Sequence, residues 1–244
     1  MHTSNYWVGH FKANATQHRI NWEQLPLISL KEIDRILPSL QAWQLGETSE
    51  GKQLIAAATR YASKTNDPAY LEAIKLFIKE EQKHDNNLGR YLDVLDLPRI
   101  KHNWGDSLFR FARHLNTSME MWTLAVITVE STAQIFYQAL RNATNCPLLK
   151  EICTDILIDE AYHITFQTER LDMIFANKSV FLKAWRGVAY KIFYYATILT
   201  VWAAHRKLFN AGGVDFTAYF KKMRYKYAKT IKSITHSSGF VQLA

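Results

Sequence analysis

The sequence predicts an all-α protein, an up-and-down four-helix bundle followed by one or two further helices. Only 9 Gly and 5 Pro occur in 244 residues, which leaves long stretches uninterrupted. Apolar residues recur at the three- and four-residue spacing of a helix face, and no segment shows the two-residue alternation of a strand. Two successive hairpins repeat one pattern, a Glu, a turn and a Glu-x-x-His sequence, which indicates two helix pairs of the same kind.

The first helix of the bundle follows residues 1–30, which are expected to form an irregular arm. This helix is predicted to start near Ser29 or Ser39 and to run without a break to about Lys64. One face of it carries Trp43, Glu47, Glu50, Leu54, Ala57 and Tyr61. This spacing of three and four residues predicts that the whole face points into the bundle.

A turn at residues 65–68 separates the first helix from the second. Asp67 is a typical N-cap residue, and Pro68 suits the first helical position. The second helix is predicted to run from here to about Leu95. Its inner stripe is Ile74, Phe77, Glu81, His84, Leu88 and Tyr91.

Turn signals at 105–107, 144–147 and 212–213 bound the remaining helices. These helices are predicted at about 107–142, 148–177, 179–210 and 216–235. We therefore expect one domain over residues 1–244, with an arm at 1–30, the bundle at about 38–176 and additional helices at about 179–235.

The composition limits the compartment and the partners. The net charge is +8 and the pI is about 9.4. Eleven basic residues crowd the C-terminal third: Lys183, Arg186, Lys191, Arg206, Lys207, Lys221, Lys222, Arg224, Lys226, Lys229 and Lys232. This surface is either a solvated face or one that attracts an acidic carrier protein, nucleic acid or an anionic membrane. Two cysteines and the lack of a signal-peptide pattern predict a cytoplasmic protein.

Six residues are predicted to converge in one layer of the bundle. They are Glu50, Glu81, His84, Glu130, Glu160 and His163. In the first hairpin, Glu50 lies 14 residues before Lys64 and Glu81 lies 13 residues after Pro68. In the second hairpin, Glu130 lies 14 residues before Thr144 and Glu160 lies 13 residues after Pro147. At 1.5 Å per residue all four carboxylates therefore sit about 20 Å from their turns. Each His lies three residues after a Glu and shares its helix face.

Glu47 competes with Glu50 for the place on the first helix. It shares the same face but lies 17 residues from Lys64, one turn beyond the layer. Glu50 is therefore the predicted ligand, and Glu47 is predicted to support the site or to line a cavity above it.

A hard, oxygen-rich donor set of this kind suits iron or manganese better than a structural zinc. Glu130 and Glu160 follow apolar runs, where a carboxylate is costly unless it is paired or bound to metal. Four carboxylates neutralise two divalent cations, which predicts two Fe ions, with Fe/Mn or Mn2 as alternatives. Asp159 and Glu80, each preceding a ligand Glu, are the predicted acceptors for the second N–H of each His. A metal-free buried network is the other interpretation.

The chain resembles the ferritin-like di-iron carboxylate superfamily over residues 38–176. The resemblance rests on Lys79-Glu80-Glu81-Gln82-Lys83-His84 and on Ile158-Asp159-Glu160-Ala161-Tyr162-His163. It implies a non-haem di-iron oxygenase or oxidase that uses O2, with Glu81 and Glu160 at the bridging positions and Glu50 and Glu130 as terminal ligands. The alternative within the superfamily is a ferritin- or rubrerythrin-like ferroxidase or peroxide scavenger. No Cys-x-x-Cys pair for a rubredoxin-type iron is present.

The substrate and partners are less closely defined. Predicted pocket-lining residues are Phe77, Leu88, Thr123, Ile127, Gln134, Tyr137, Ile156 and Gln167, which would admit an apolar or aromatic group. We expect a small or carrier-protein-bound organic substrate and an external electron donor. The apolar helix at 179–210 is predicted to pack on the bundle or in a homodimer, with docking on a membrane surface as the alternative.

Overall fold

A computed structural model describes residues 1–105 and 118–235. The helices in these two ranges, numbered in chain order, are α1 (Ser4–Asn14), α2 (Leu30–Glu47), α3 (Lys52–Thr65), α4 (Pro68–Val94), α5 (Met119–Ala143), α6 (Pro147–Phe175), α7 (Val180–Ala211) and α8 (Phe216–Thr235). The described residues contain no strand, so the all-α prediction is confirmed. The predicted bounds of α4, α6, α7 and α8 agree with the structure to within about two residues.

The bundle consists of α2 with α3, then α4, α5 and α6. Within α4 and α6, two apolar clusters lie on either side of a polar layer. One cluster contains Phe77 and Phe166, and the other contains Leu88 and Ile156. The residues between them on each helix, 80–84 and 159–163, therefore form a polar layer that is closed off by hydrophobic packing at both ends.

The predicted unbroken first helix is wrong, because two helices take its place. α2 ends at Glu47, residues 48–51 are not helical, and α3 begins at Lys52. Gly51 precedes α3 with a φ of +63°, a conformation that favours glycine. A Cβ at this position would also come within 2.5 Å of the Ile78 side chain on α4. The break therefore depends on a glycine that lies close to the neighbouring helix.

The N-terminal arm is partly helical: α1 occupies Ser4–Asn14, contrary to the prediction that residues 1–30 are irregular, whereas residues 15–29 form no helix. Thr3 caps α1 by accepting a hydrogen bond from the backbone N–H of Tyr6. Trp7 and Phe11 are buried on its inner side, where both rings contact Phe166 of α6. This packing holds α1 over the polar layer of the bundle.

The third predicted helix is shorter than expected. Its predicted start at 105–107 lies partly outside the described residues. Ser118 has extended backbone and caps α5 at the N–H of Met121, so the described helix begins at Met119. A single helix over 107–142 is therefore wrong.

The last two helices pack beside the bundle. Tyr194 of α7 donates a hydrogen bond to the backbone of Met223 in α8. After α7, Gly212 comes so close to α5 that a Cβ would lie 2.3 Å from the carbonyl oxygen of Ala139. None of the helices in the described ranges has the length and apolar content that crossing a bilayer requires.

Candidate metal centre

Three helices bring carboxylates and imidazoles together inside the bundle. α4 supplies Glu81 and His84, α5 supplies Glu130, and α6 supplies Glu160 and His163. His84, Glu160 and His163 are completely buried, and Glu130 is 4% exposed. Helix periodicity accounts for the placement on α4 and α6, since residues three apart share one face.

The two imidazole rings define a centre shared by two carboxylates. His84 Nδ1 lies 4.0 Å from a Glu81 oxygen and 3.9 Å from a Glu160 oxygen. His163 Nδ1 lies 2.9 Å from the other Glu81 oxygen and 3.8 Å from the other Glu160 oxygen. Glu130 approaches His163, at 3.9 Å. Glu81 and Glu160 thus sit between the two rings, where a carboxylate can bridge two cations.

The ligand atoms that point into this centre make no well-directed hydrogen bond, although His163 Nδ1 and Glu81 Oε1 lie 2.9 Å apart. They are both oxygens of Glu160, Oε1 of Glu81 and Nδ1 of both histidines. One ligand atom from each of Glu81, Glu130, Glu160 and His163 fits within 4.8 Å of the others. Buried polar atoms without partners are costly and uncommon. Their convergence, on oxygen and imidazole nitrogen alone, fits divalent cations of the iron and manganese type.

The structure does not bring Glu50 to this centre. Its side chain is 73% exposed and pairs with Lys52 at the surface. Glu47 lies in the layer instead, where its Oε1 accepts hydrogen bonds from Trp43 Nε1 at 2.9 Å and from the Tyr137 hydroxyl at 3.0 Å. The prediction of Glu50 is wrong because it counted along one continuous helix, whereas residues 48–51 leave the helix axis.

Each histidine is held by a carboxylate from the opposite helix. His84 Nε2 lies 3.0 Å from Asp159 of α6, and His163 Nε2 lies 2.7 Å from Glu80 of α4. These are the two acceptors that the sequence predicts. They orient the rings so that both Nδ1 atoms face the centre.

Sequence reasoning missed the contacts that fix these two acceptors. Asn14 at the end of α1 donates to Glu80 and, at 2.8 Å, to Asp159. Lys83 and Arg19 approach Asp159 at 2.5 and 3.0 Å. Arg19 also donates to Asn14 and to Asp155. No periodic pattern links residues 14 and 19 to a helix more than 130 residues away, so the sequence carries no local signal for them.

The pKa values follow from burial and from the neighbouring charges. Burial, reinforced by Glu130, raises the pKa of Glu160 well above its usual value. Burial opposes charge on Glu81 as well, but His163 and then His84 outweigh it and lower the pKa of this carboxyl. For His163, burial opposes the charged ring, yet Glu81 and the other surrounding carboxylates raise its pKa well above the usual value.

The pKa values of Glu47 and Asp159 are likewise shifted in opposite directions. Burial and then the charges of Glu81 and Glu130 raise the pKa of Glu47 well above its usual value. Burial acts to raise the pKa of Asp159, but His84 and then Lys83 lower it far below the usual range. The cluster therefore gathers negative charge that is incompletely balanced, which is the electrostatic environment that attracts cations.

A cavity of about 530 Å³ reaches the centre from one side. Glu47, Glu81 and Glu130 form its polar floor. Its apolar and aromatic walls include Trp43, Phe77, Trp122, Val126, Val129, Phe193 and Val201. It therefore provides a largely apolar chamber that has three carboxylates of the centre at one end.

Of the eight residues predicted to line the pocket, Phe77 alone borders the cavity. Glu47, predicted either to support the site or to line a cavity above it, also borders it. Leu88, Thr123, Ile127, Tyr137, Ile156 and Gln167 are buried elsewhere, and Gln134 accepts a hydrogen bond from Lys226. The prediction chose the flank of α5 at residues 123, 127 and 134. The cavity lies on the other flank, at residues 122, 126 and 129, because α7 leaves room there. The spacing of residues around Glu130 was compatible with a cavity on either side of α5.

Comparison with known proteins identifies the fold. No protein-family model matches the chain, and no curated protein matches it. Among solved structures, a variant of an R2-like ligand-binding oxidase with an aerobically reconstituted Mn/Fe cofactor superposes with a TM-score of 0.64 at 14% identity, over 98% of this chain and 94% of that chain. A second variant, with an anaerobically reconstituted Mn/Fe cofactor, gives a TM-score of 0.65 at 14% identity with the same coverage. At this identity the similarity establishes a ferritin-like helical fold.

Proposed function

We propose that this protein is an oxidoreductase that holds two metal ions, Mn/Fe or Fe2, and uses O2 to oxidise an organic ligand. The main support is the group of ligand atoms on Glu81, Glu160 and the two histidines that make no well-directed hydrogen bond. These atoms converge on one point beneath an apolar cavity. The shared fold with R2-like ligand-binding oxidases that carry Mn/Fe cofactors supports it. When bound, such a metal pair supplies electrons to dioxygen, which side chains cannot do alone.

In this proposal the residues have distinct tasks. Glu47, Glu81, Glu130 and Glu160 would hold the two ions, with Glu81 and Glu160 placed between the two histidine rings. Nδ1 of His84 and Nδ1 of His163 would complete the ligand set, while Asp159 and Glu80 fix the two rings through Nε2. Four carboxylates match the charge of two divalent ions, so loading neutralises the layer inside the apolar bundle.

One carboxylate oxygen of Glu47 is held in place by two hydrogen bonds. Trp43 and Tyr137 both donate to the same carboxylate oxygen, Oε1. The second oxygen of Glu47 is then the one that would hold a metal ion. The Tyr137 hydroxyl keeps its proton on oxygen, since burial and then the Glu47 charge raise its pKa well above the usual value.

The cavity favours an organic ligand over iron storage. Its walls are mainly aromatic and aliphatic, and the carboxylates of Glu47, Glu81 and Glu130 lie at its metal end. We propose a ligand with an apolar body of small-molecule size and an external electron donor. We also place the protein in the cytoplasm, because Cys146 and Cys153 are buried thiols rather than a disulfide.

Metal stoichiometry tests the proposal, with a matched pair of variants. After anaerobic loading with Fe(II), or with Mn(II) and Fe(II), elemental analysis should give about two ions per chain. Glu47→Gln should lower this to about one or less, because it removes a ligand. Glu50→Gln, which is three residues away and solvent-exposed, should retain the full content. Equal metal content in both variants, or less than one ion in the wild type, would contradict the proposal.

Dioxygen use provides the second measurement. The loaded, reduced protein should consume O2 in an oxygen-electrode experiment, in proportion to its metal content, and Glu160→Gln should not. If the wild type binds two ions but leaves O2 unconsumed, the centre is a metal store or a structural site, and the oxidoreductase proposal fails.

A further inference from the structure

The outer face of α7 is apolar where a solvated helix face is normally polar. Between 180 and 204 the exposed residues are Val180, Phe181, Ala184, Trp185, Val188, Ala189, Lys191, Ile192, Ala196, Leu199, Ala203 and Ala204. Lys191 is the single charged residue among them. Phe181 is 89% exposed and Trp185 is 66% exposed. A helix with apolar residues on its inner and outer sides is expected to be covered on both.

This face continues to the wall of the cavity. Phe193, Thr200 and Ala204 line the cavity. Ala196 lies three residues after Phe193 and four before Thr200, so it adjoins both on the helix surface. Ala203 lies three residues after Thr200 and adjoins it in the same way. The exposed apolar face, which spans about 35 Å along the helix axis, therefore leads to the cavity without a charged residue at the junction.

α7 and α8 together carry a strong positive charge. Residues 180–235 contain eleven Lys and Arg residues and one acidic residue, Asp215. On α8, the exposed basic residues are Lys221, Lys222, Arg224, Lys229 and Lys232. α8 packs directly beside α7 through contacts such as Tyr195 with Phe220. An apolar face bordered by cations is the pattern of a helix that lies in the surface of an anionic membrane.

We propose that α7 and α8 dock this protein on an anionic lipid bilayer, with the apolar face of α7 inserted among the acyl chains near the headgroups. Charge complementarity favours this occupant. A second copy placed on the same face would bring two basic α8 helices towards each other, and this repulsion opposes a dimer. Docking is peripheral, since no described helix has the length and hydropathy to span the bilayer.

Docking also gives the cavity a source of ligand, a point that rests on the proposed function. An apolar molecule dissolved in the bilayer passes from the acyl chains along Ala196 and Ala203 to the cavity without crossing water. The substrate class is then a membrane-soluble compound with an apolar body. Membrane docking itself does not require the metal ions, so the two proposals fail separately.

Vesicle co-sedimentation of the full chain tests the docking. The wild type should bind vesicles of phosphatidylglycerol and phosphatidylcholine, bind vesicles of phosphatidylcholine alone at least about tenfold more weakly, and lose affinity as salt is raised. Phe181→Ser combined with Trp185→Ser should weaken binding to anionic vesicles by about tenfold or more. Lys221→Glu combined with Lys222→Glu should do the same.

Two control pairs match these variants elsewhere on the surface. Leu25→Ser with Leu27→Ser removes leucines that are 76% and 71% exposed, and Lys75→Glu with Lys79→Glu reverses two exposed charges on α4. Both pairs should bind like the wild type. Absence of binding, binding that ignores lipid charge, or equal loss in the control pairs would overturn the proposal.

Sedimentation velocity supplies the competing outcome. A dimer that the Phe181→Ser and Trp185→Ser changes dissociate, in a protein that ignores vesicles, would assign the face to a second copy and overturn membrane docking. Metal content, measured on the same samples, should be unchanged in all four variants. A wild type that binds vesicles but does not hold metal would count against the proposed function and leave the docking proposal standing.

Discussion

His84 and Asp159 are joined by a buried hydrogen bond, with 3.0 Å between Nε2 and Oδ2 and no solvent exposure of either side chain. The corresponding bond, from His163 to Glu80, lies in a different charge environment. Asp159 also contacts Lys83 and Arg19, whereas the further contact of Glu80 is with the neutral amide of Asn14. The two halves of the candidate centre are therefore similar in geometry but unequal in charge.

Asp159→Asn should loosen the centre from outside. The change leaves Lys83 and Arg19 short of a partner and weakens the hold on His84, so we expect a loss of about 2–4 kcal/mol in the free energy of unfolding and a drop of about 10- to 100-fold in metal affinity. Asp155→Asn is the matched control, because Asp155 contacts the same two cations but not His84. Urea unfolding and metal titration check both values. Equal metal affinity in the two variants would contradict the orienting role of Asp159.

Glu160→Gln should stabilise the metal-free protein while abolishing stoichiometric metal binding. Burial and Glu130 raise the pKa of Glu160, so the folded state holds a proton that the unfolded state has already released above pH 4.5. Stability of the metal-free protein therefore falls as the pH rises from about 4.5 towards the folded-state pKa, and the variant removes that contribution, about 1–2 kcal/mol at neutral pH. Urea unfolding from pH 5 to 8 measures the slope. If the substitution leaves this slope unchanged, the buried Glu160 carboxyl does not have a raised pKa in the folded protein.

Val126→Trp should fill the cavity without disturbing the metal centre. Val126 lines the chamber on α5, four residues from Glu130. We expect full metal content and a loss of at least about tenfold in affinity for an apolar fluorescent probe, because the volume for the probe is removed. Val180→Trp, on the exposed end of α7, is the control. Unchanged probe affinity in Val126→Trp would show that ligands bind elsewhere.

His205 should make the protein acid-sensitive. Burial lowers its pKa to about 4, and its ring packs against Trp43 and Phe136 on the cavity side of α7. Because the unfolded state takes up a proton near pH 6.5, stability is lost as the pH falls from 6.5 to about 4, by up to about 3 kcal/mol. His205→Leu should flatten this loss in urea unfolding at pH 7 and pH 5. His18→Leu, at the surface, is the control and should leave the loss as in the wild type.

Gly212→Ala should destabilise the packing of α7 on the bundle. The added Cβ would meet backbone atoms of Ala139, at 2.3 to 2.8 Å, and backbone cannot rotate away. We expect a loss of about 1–3 kcal/mol in thermal or urea unfolding. Gly9→Ala, where a Cβ would meet nothing within 4 Å, should have no such cost. A loss of the same size at Gly9 would exclude steric contact as the cause.

The sequence was sufficient for the parts of the fold that depend on unbroken helices. On α4 and α6, a Pro at the start fixes the register, so the positions of Glu81, His84, Glu160 and His163 follow from counting residues. Glu50 failed the same counting because Gly51 interrupts the helix at a positive φ. Period alone cannot locate such a break when helix-forming residues flank it on both sides.

The contacts that support the site are beyond sequence reasoning for a different reason. Asn14 and Arg19 reach Asp159 only through tertiary packing of α1 over the bundle. The choice of flank on α5 likewise depends on where α7 leaves space. Both are decided by the arrangement of helices, which local periodicity does not encode.

The bridge from Asn14 to Asp159 also sets an order of events during synthesis. These residues are separated by 145 positions, so α1 leaves the ribosome long before its partners on α6 exist. At a synthesis rate of about 5–20 residues per second, α1 waits for several seconds or more before it can close over the site. Its long-range contacts form late because they must overcome the entropy of closing so long a loop. Ions that reach the bundle after α6 has formed and before α1 docks meet histidines whose outer partners are not yet fixed, so maturation of the centre is expected to finish with the docking of the N-terminal helix.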